Sequence, residues 1–256
     1  LQMHEFDLVN NYLKNLTYKK SPSLQLNDDV FFDKKNNLVI SLDTYNEGSH
    51  FINFKKPDLV LKKVVRSSIS DLICKGVYPK FYFISVSGNK KNLNKSNLKK
   101  ITLSLKEEQK KYNLKLGGGD TTFSNKLSFT VTCLGYSKKI VLRNNAKNND
   151  DIYVTGNLGD SYTGLLVLKK KIKFSSYLND YFVKKHFLPD LKFSLVESLK
   201  KIANTSIDIS DGLISDLDKL LNKQNLSYDI FLKNIPISKN LSSILKKKKL
   251  LKQNFI

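Results

Sequence analysis

Leu116-Gly117-Gly118-Gly119-Asp120-Thr121-Thr122 sets three adjacent glycines directly before an acidic residue and two hydroxyls. Without Cβ atoms, such a run lets backbone N–H groups close on a phosphate, while the Asp can hold a metal ion and the threonines can donate to oxygens. It is not a Walker A loop, because the Gly spacing and the following Lys are absent, and it is not a dinucleotide fingerprint. Taken alone it reads equally well as a bare glycine turn. Its flanks give it a setting. Residues 95–112 carry the amphipathic period of a helix, and 127–135 alternate as a strand.

Working outward, residues 38–42, 81–86 and 152–155 also read as strands. Between the first two, 58–75 places Leu59, Leu61, Val64, Val65, Ile69, Leu72 and Ile73 at helical spacing. Beyond Arg143 the pattern becomes helical, with helices expected over 159–170, 191–203 and 212–221. The polar stretch 143–151 separates a strand-rich first half from a helical second half. Two domains are expected, 1–137 and 138–256. Residues 229–232 read as a further strand, followed by Pro236 and a lysine run at 246–249, and the second domain reads as unfinished at Ile256.

Composition narrows the class. A chain of 256 residues with 40% hydrophobic and 11% aromatic residues can bury a sizeable core. The net charge of +21 invites a nucleic-acid reading. Against it, nearly all the cations are Lys, and only Arg66 and Arg143 offer the planar fork that reads bases or clamps phosphates. The lysines are interleaved with asparagines along the whole chain, as codon bias in an AT-rich genome produces. No specific nucleic-acid partner is expected. Nor is a membrane one, since no uncharged apolar run is long enough to span a bilayer. The first residues carry no basic region followed by an apolar run, so no leader is expected, and Leu1-Gln2 before Met3 are set aside. Cys74 and Cys133 sit in apolar surroundings without metal-ligand spacing and read as reduced core thiols of a cytoplasmic protein.

In this Lys-rich chain the carboxylates gather at element ends: Asp28-Asp29, Asp43, Asp71, Asp120, and Asp208, Asp211 and Asp216. Any one of them is most simply a cap or turn residue. Together, at the ends of strands sharing a sheet, they would converge, and hard oxygen donors of that kind suit Mg²⁺ bridging phosphates. The segment Ile152-Tyr153-Val154-Thr155-Gly156-Asn157-Leu158-Gly159-Asp160-Ser161 reads as a strand, glycine turn and helix start, a natural anion contact or an ordinary connection.

These pieces occur in an order and spacing that resembles one family. Glu5-Phe6-Asp7-Leu8, Asn27-Asp28-Asp29, Leu42-Asp43-Thr44 through Gly48-Ser49-His50-Phe51, Ser70-Asp71-Leu72 before Gly76, Gly118-Gly119-Asp120-Thr121-Thr122, Tyr153-Val154-Thr155-Gly156, Gly159-Asp160-Ser161 and Asp208-Ile209-Ser210-Asp211-Gly212-Leu213 are similar to the segments of thiamine-monophosphate kinases, in the aminoimidazole-ribonucleotide-synthetase-like superfamily. The likeness runs from about Glu5 to Leu221. It implies an α/β (α+β) fold of two domains, the first pairing its sheet across a homodimer. It implies that Asp29, Asp43, Asp71, Asp120, Asp208 and Asp211 ligate Mg²⁺ around ATP. Gly119, Asp120, Arg143 and Ser210 would contact the nucleotide, with Arg143 as phosphate clamp, and His50 would contact thiamine monophosphate. Asp71, Asp120, Asp211 and Arg143 would carry catalysis, by direct in-line transfer from ATP to give thiamine diphosphate. Alternatives are a nucleotide-binding homologue without turnover, or another ATP-dependent enzyme of the superfamily.

The chain departs from the family pattern in places. Leu42 replaces a usual Ser or Thr, Ser68 a usual Asn, and Asn148-Asn149 a usual Pro-Gly. No segment matches the family's Gly-Gly-Glu-Asp-Tyr-Glu-type run, which carries thiamine contacts.

Overall fold

A computed structural model describes residues 5–256, with side chains from Asp7 onward. The reading of Leu1–His4 lies outside the described residues. After a helical turn, α1 (Glu5–Leu8), come β1 (Phe31–Asp33), β2 (Leu38–Asn46), α2 (Pro57–Cys74), β3 (Pro79–Gly88), α3 (Lys95–Tyr112), β4 (Lys115–Gly118), β5 (Thr121–Phe123) and β6 (Ser128–Tyr136). The second half adds α4 (Asp160–Leu168), α5 (Ser176–Phe187), α6 (Val196–Ile202), α7 (Leu213–Leu221) and α8 (Lys239–Lys248). The strands form one mixed sheet in the order β1-β2-β6-β3-β4, with β5 also on β3. β2 and β3 run antiparallel to β6 between them, and β4 and β5 lie parallel to β3.

Strand alternation divides the sheet's side chains. Val39, Ser41 and Tyr45 point to the helix side, where Val131, Cys133 and Phe129 of β6 join them in the core. Ile40, Leu134 and Phe81 form one row on the other face, and Leu42, Thr132 and Phe83 the next. Leu42 and Phe83 remain 64% and 41% exposed, so that face is apolar and uncovered in the isolated chain.

α2 begins with Pro57 at a position whose N–H is not needed, and Asp58 stands in its first turn. Val60, Leu61, Val64, Ile69 and Leu72 are essentially inaccessible, and Arg66 and Ser68 on other sides are buried too. The helix is enclosed because the sheet lies on one side while α3, α5 and α6 cover the rest. Arg66 crosses to α3 through a two-pronged pair with Glu108 (2.8 and 2.9 Å). Lys63 crosses to α5, donating to His186 Nε2 at 3.0 Å and to the His50 carbonyl. A second, smaller core forms around Phe182, Leu241, Ile244 and Phe255. No helix among the described residues is long and apolar enough to cross a membrane.

Three expectations change. The glycine run is an edge strand rather than a turn, because β4 pairs with β3 as far as Gly118. Residues 152–155 and 229–232 form no ladder: alternating sequence makes a strand only where a partner strand supplies hydrogen bonds, and in this region only Leu158 and Ile237 bridge. The helix α5 was not read from the sequence.

Burial and the Lys63 charge lower the His186 pKa to about 4. The unfolded chain therefore binds this proton more readily, so the stability it contributes is complete above about pH 6.5 and is lost as pH falls toward 4. By pH 5 the loss should be about 2 kcal/mol. Urea unfolding at pH 7 and 5 should show a shallower decline in His186→Gln than in the parent; parallel declines would refute this assignment.

Candidate active site

Asp43 occupies the helix side of β2 because it follows Ser41 by two residues, and α2 lies directly over that face. The Tyr45 hydroxyl donates to Asp43 Oδ2 at 3.0 Å and accepts from the Ser68 hydroxyl at 3.1 Å, which fixes the carboxylate's aim. Ser68 is fully buried and used here in place of the family's Asn. Leu42 faces the opposite side of the sheet, so its replacement of Ser or Thr leaves the Asp43 face untouched.

Asp71, on the last turn of α2, shares a hydrogen bond with Asp43. Asp208, in the segment before α7, accepts from the Ser70 side chain. Three half-buried carboxylates from three segments thus press together, and each pKa is raised. Burial is the leading cause in every case; for Asp71 the next causes are the charges of Asp208 and Asp43. Crowded carboxylate oxygens of this kind are the donor set that a hard divalent cation takes.

Beside them lies a second, charge-balanced group. Lys75, at the end of α2, has a wholly inaccessible side chain and places Nζ 2.9 Å from Asp28 Oδ1, 2.7 Å from Asp29 Oδ2 and 2.8 Å from the Ser206 carbonyl. Arg143 donates from Nε to Asp29 Oδ2 at 3.1 Å, contacts Asp29 Oδ1 through Nη2, and gives its backbone N–H to Asp28. Cys74, expected among apolar neighbours, instead lies where Asp29, Asp208 and its own Sγ come within 4.8 Å of one another. Its thiol donates to the Asp71 carbonyl, and burial pushes its pKa well up.

Other predicted site residues lie apart. Asp120 is exposed and accepts from the Thr121 N–H. It neighbours β3, three strand spacings from β2, or roughly 14 Å from Asp43. Gly119 stands over β3 so closely that a Cβ would lie 1.8 Å from the Ile84 carbonyl oxygen. Asp211 is exposed and paired with Lys219. Ser210 gives its N–H to Asp216 Oδ2 at 2.8 Å. His50 is exposed, accepts the Asn46 N–H on Nδ1 at 3.0 Å and meets Tyr45 edge-on.

Sequence reasoning missed two organising residues. Lys75 was counted with the background lysines, though it sits beside Gly76 at the end of a helix carrying Asp71. Asp216 was noted only as a member of an Asp-rich run. It is 1% exposed, and one of its oxygens gathers the N–H groups of Ser210, Asp211 and Gly212, shaping the loop that carries Asp208.

Residues 27–137 match the family described as AIR synthase related protein, N-terminal domain. The sheet, the enclosed helix and the acidic junction between them therefore define a member of that AIR-synthase-related class. The chain belongs, within it, to the thiamine-monophosphate kinase family. It is 40% identical over 244 residues to the thiamine-monophosphate kinase of Buchnera aphidicola subsp. Acyrthosiphon pisum (strain APS), covering 93% of this chain and 75% of that protein. The Buchnera aphidicola subsp. Schizaphis graminum (strain Sg) protein is 39% identical over 249 residues, covering 94% and 76%. The solved structure described as AaThiL complexed with AMPPCP and TMP superposes with a TM-score of 0.89 at 27% identity, covering 98% of this chain and 80% of that one.

Two outcomes check the site. Because burial and then the charges of Asp208 and Asp43 disfavour ionised Asp71, Asp71→Asn should raise the metal-free Tm at pH 7.5 by a few degrees, on the order of 1 kcal/mol, and shrink the further rise caused by Mg²⁺. A lower Tm with an undiminished Mg²⁺ response would contradict the cluster. Gly119→Ala should cost about 3 kcal/mol in urea unfolding, since backbone rather than a side chain must move. Gly48→Ala has open space and should cost only the strain of its positive φ, about 1 kcal/mol; equal costs would refute the close approach.

Proposed function

We propose that this chain phosphorylates thiamine monophosphate to thiamine diphosphate with ATP as donor, using Mg²⁺. The observation that carries the reading is the convergence of Asp43, Asp71 and Asp208, three carboxylates with raised pKa values, in a chain of this kinase family. The structural neighbour bound to AMPPCP and TMP supports the pairing of substrates.

Two polyanions must approach one another, so the task is positioning and charge neutralisation more than covalent chemistry. Divalent ions at this site supply that neutralisation when bound. Asp43, Asp71 and Asp208 hold them at the junction of β2, α2 and the segment before α7. We assign Gly119 and Ser210 to the nucleotide and Asp120 and Asp211 to divalent ions on its phosphates, Asp120 and Gly119 from the β4–β5 edge and Ser210 and Asp211 from the loop before α7. Asp29 stands in the expected ligand set and Arg143 as the expected clamp, but here the two are paired with one another. His50 is the contact for the thiamine phosphate. In transfer, a phosphate oxygen of thiamine monophosphate forms a bond to the γ-phosphorus while the bond from that phosphorus to the ADP oxygen breaks. That oxygen is already anionic near neutral pH, so no strong general base is needed.

We further propose a homodimer whose second copy covers the row of Leu42 and Phe83, and a division into domains 1–137 and 138–256, which the family match ending at 137 supports. A cytoplasmic location is supported by the free thiols of Cys74 and Cys133.

Incubation with ATP, Mg²⁺ and thiamine monophosphate should yield thiamine diphosphate and ADP by chromatography, and unphosphorylated thiamine should yield no product. Asp71→Asn should lower kcat at least a hundredfold, on the scale of losing one charge-stabilising group. Near-normal turnover in that variant, or phosphorylation of other monoesters but not this one, would overturn the reading.

A further inference from the structure

A lysine side chain with no solvent exposure needs a reason, because an ammonium leaves water only at a cost of several kcal/mol unless it is fully paired. Lys75 is fully paired. Its three N–H donors match three acceptors, Asp28 Oδ1, Asp29 Oδ2 and the Ser206 carbonyl, all within 2.9 Å. Its backbone is fixed as well. Its N–H bonds back to Leu72 at the end of α2, and its carbonyl accepts from Val141. The site is the C-terminal end of a helix, where a cation is favoured by the helix dipole.

The effect on the neighbouring carboxylates is unequal. Asp28 and Asp29 are balanced by Lys75 and Arg143, with side chains only 4% and 7% exposed. Both oxygens of Asp29 are engaged by cations. Asp43 bonds instead to the Tyr45 hydroxyl and to Asp71, and Asp208 to the Ser70 side chain. Yet Asp29 and Asp208 approach each other closely enough, together with Cys74, to share an ion. The feature separating Asp29 from its neighbours is the ammonium already lying against it.

We infer that Lys75 is a built-in cation of the carboxylate cluster: its ammonium takes the place of one divalent ion and withdraws Asp29 from the groups available to metal. The inference deepens the proposed kinase reading and rests on its divalent-ion site. Without the ammonium, Asp28, Asp29, Asp208 and the Ser206 carbonyl would converge as oxygen donors on one space, the kind of site a hard divalent ion fills. Lys75 is a positioning residue here; it sets how many ions the cluster needs and where they lie.

The test is the number of Mn²⁺ ions bound per chain, read from the loss of the free-ion electron paramagnetic resonance signal with AMPPCP present. In the parent background, Asp29→Asn should leave that number unchanged, whereas Asp71→Asn should lower it by one. Lys75→Met should raise it by one, Lys75→Arg should not, and the gain should vanish in the Lys75→Met, Asp29→Asn double variant. Loss of an ion in Asp29→Asn would overturn the inference, and that variant decides the matter even if Lys75→Met does not fold. A folded Lys75→Met protein with lower Tm and an unchanged ion count would also overturn it, leaving Lys75 a structural tie only. No Mn²⁺ bound by the parent chain would overturn both this inference and the divalent-ion site beneath it.

Discussion

The buried ion cluster of Lys75, Asp28, Asp29 and Arg143 is the interaction on which the rest of the arrangement depends. It joins four stretches that are far apart in sequence: the loop before β1, the end of α2, the polar connector at 143 and the segment around Ser206. Removing one member of a buried, hydrogen-bonded ion group leaves an uncompensated charge and typically costs about 3–5 kcal/mol. The first half of the chain is therefore coupled to the second at the point where the acidic site forms. Asp208, carried by the second half, meets Asp43 and Asp71 beside that coupling.

The chain's two arginines illustrate the same physics. Lys serves nearly everywhere as the cation, yet Arg66 and Arg143 each hold a carboxylate with two prongs, Glu108 and Asp29 respectively. A guanidinium offers parallel N–H donors in a fixed plane, which an ammonium cannot reproduce. Where a single point charge with three donors is wanted, at the Asp28, Asp29 and Ser206 junction, the residue is Lys. Around this frame the enclosed α2 supplies rigidity. Its inaccessible Val60, Leu61, Ile69 and Leu72 support a site whose crowded carboxylates oppose folding.

Much of the site was legible because strand and helix periods fix which way a residue points. Once 38–42 reads as a strand and 58–75 as a helix above it, Asp43 and Asp71 belong on facing surfaces. Asp120 and Asp211 were legible as residue types in telling company but not as neighbours of that pair. Asp120 lies at the far side of the sheet because β6 and β3 come between, an order that no local pattern contains. Asp211 turned outward to Lys219, while Asp216, one helical turn later, took the inward place and the backbone amides.

The sequence by itself determined the sheet-and-helix alternation of the first half, the boundaries of α3, the acidic residues at element ends and the family likeness that they carry. Those follow from side-chain period, capping residues such as Asn94, and short motifs, all of which act within a few residues. Tertiary structure alone decided that the glycine run would be an edge strand, that 152–155 and 229–232 would stay without a ladder, and that one lysine among 42 would be buried as a counter-ion. Each of those outcomes depends on a partner distant in sequence, a strand to pair with or a carboxylate to neutralise, and chain closure rather than local preference brings such partners together.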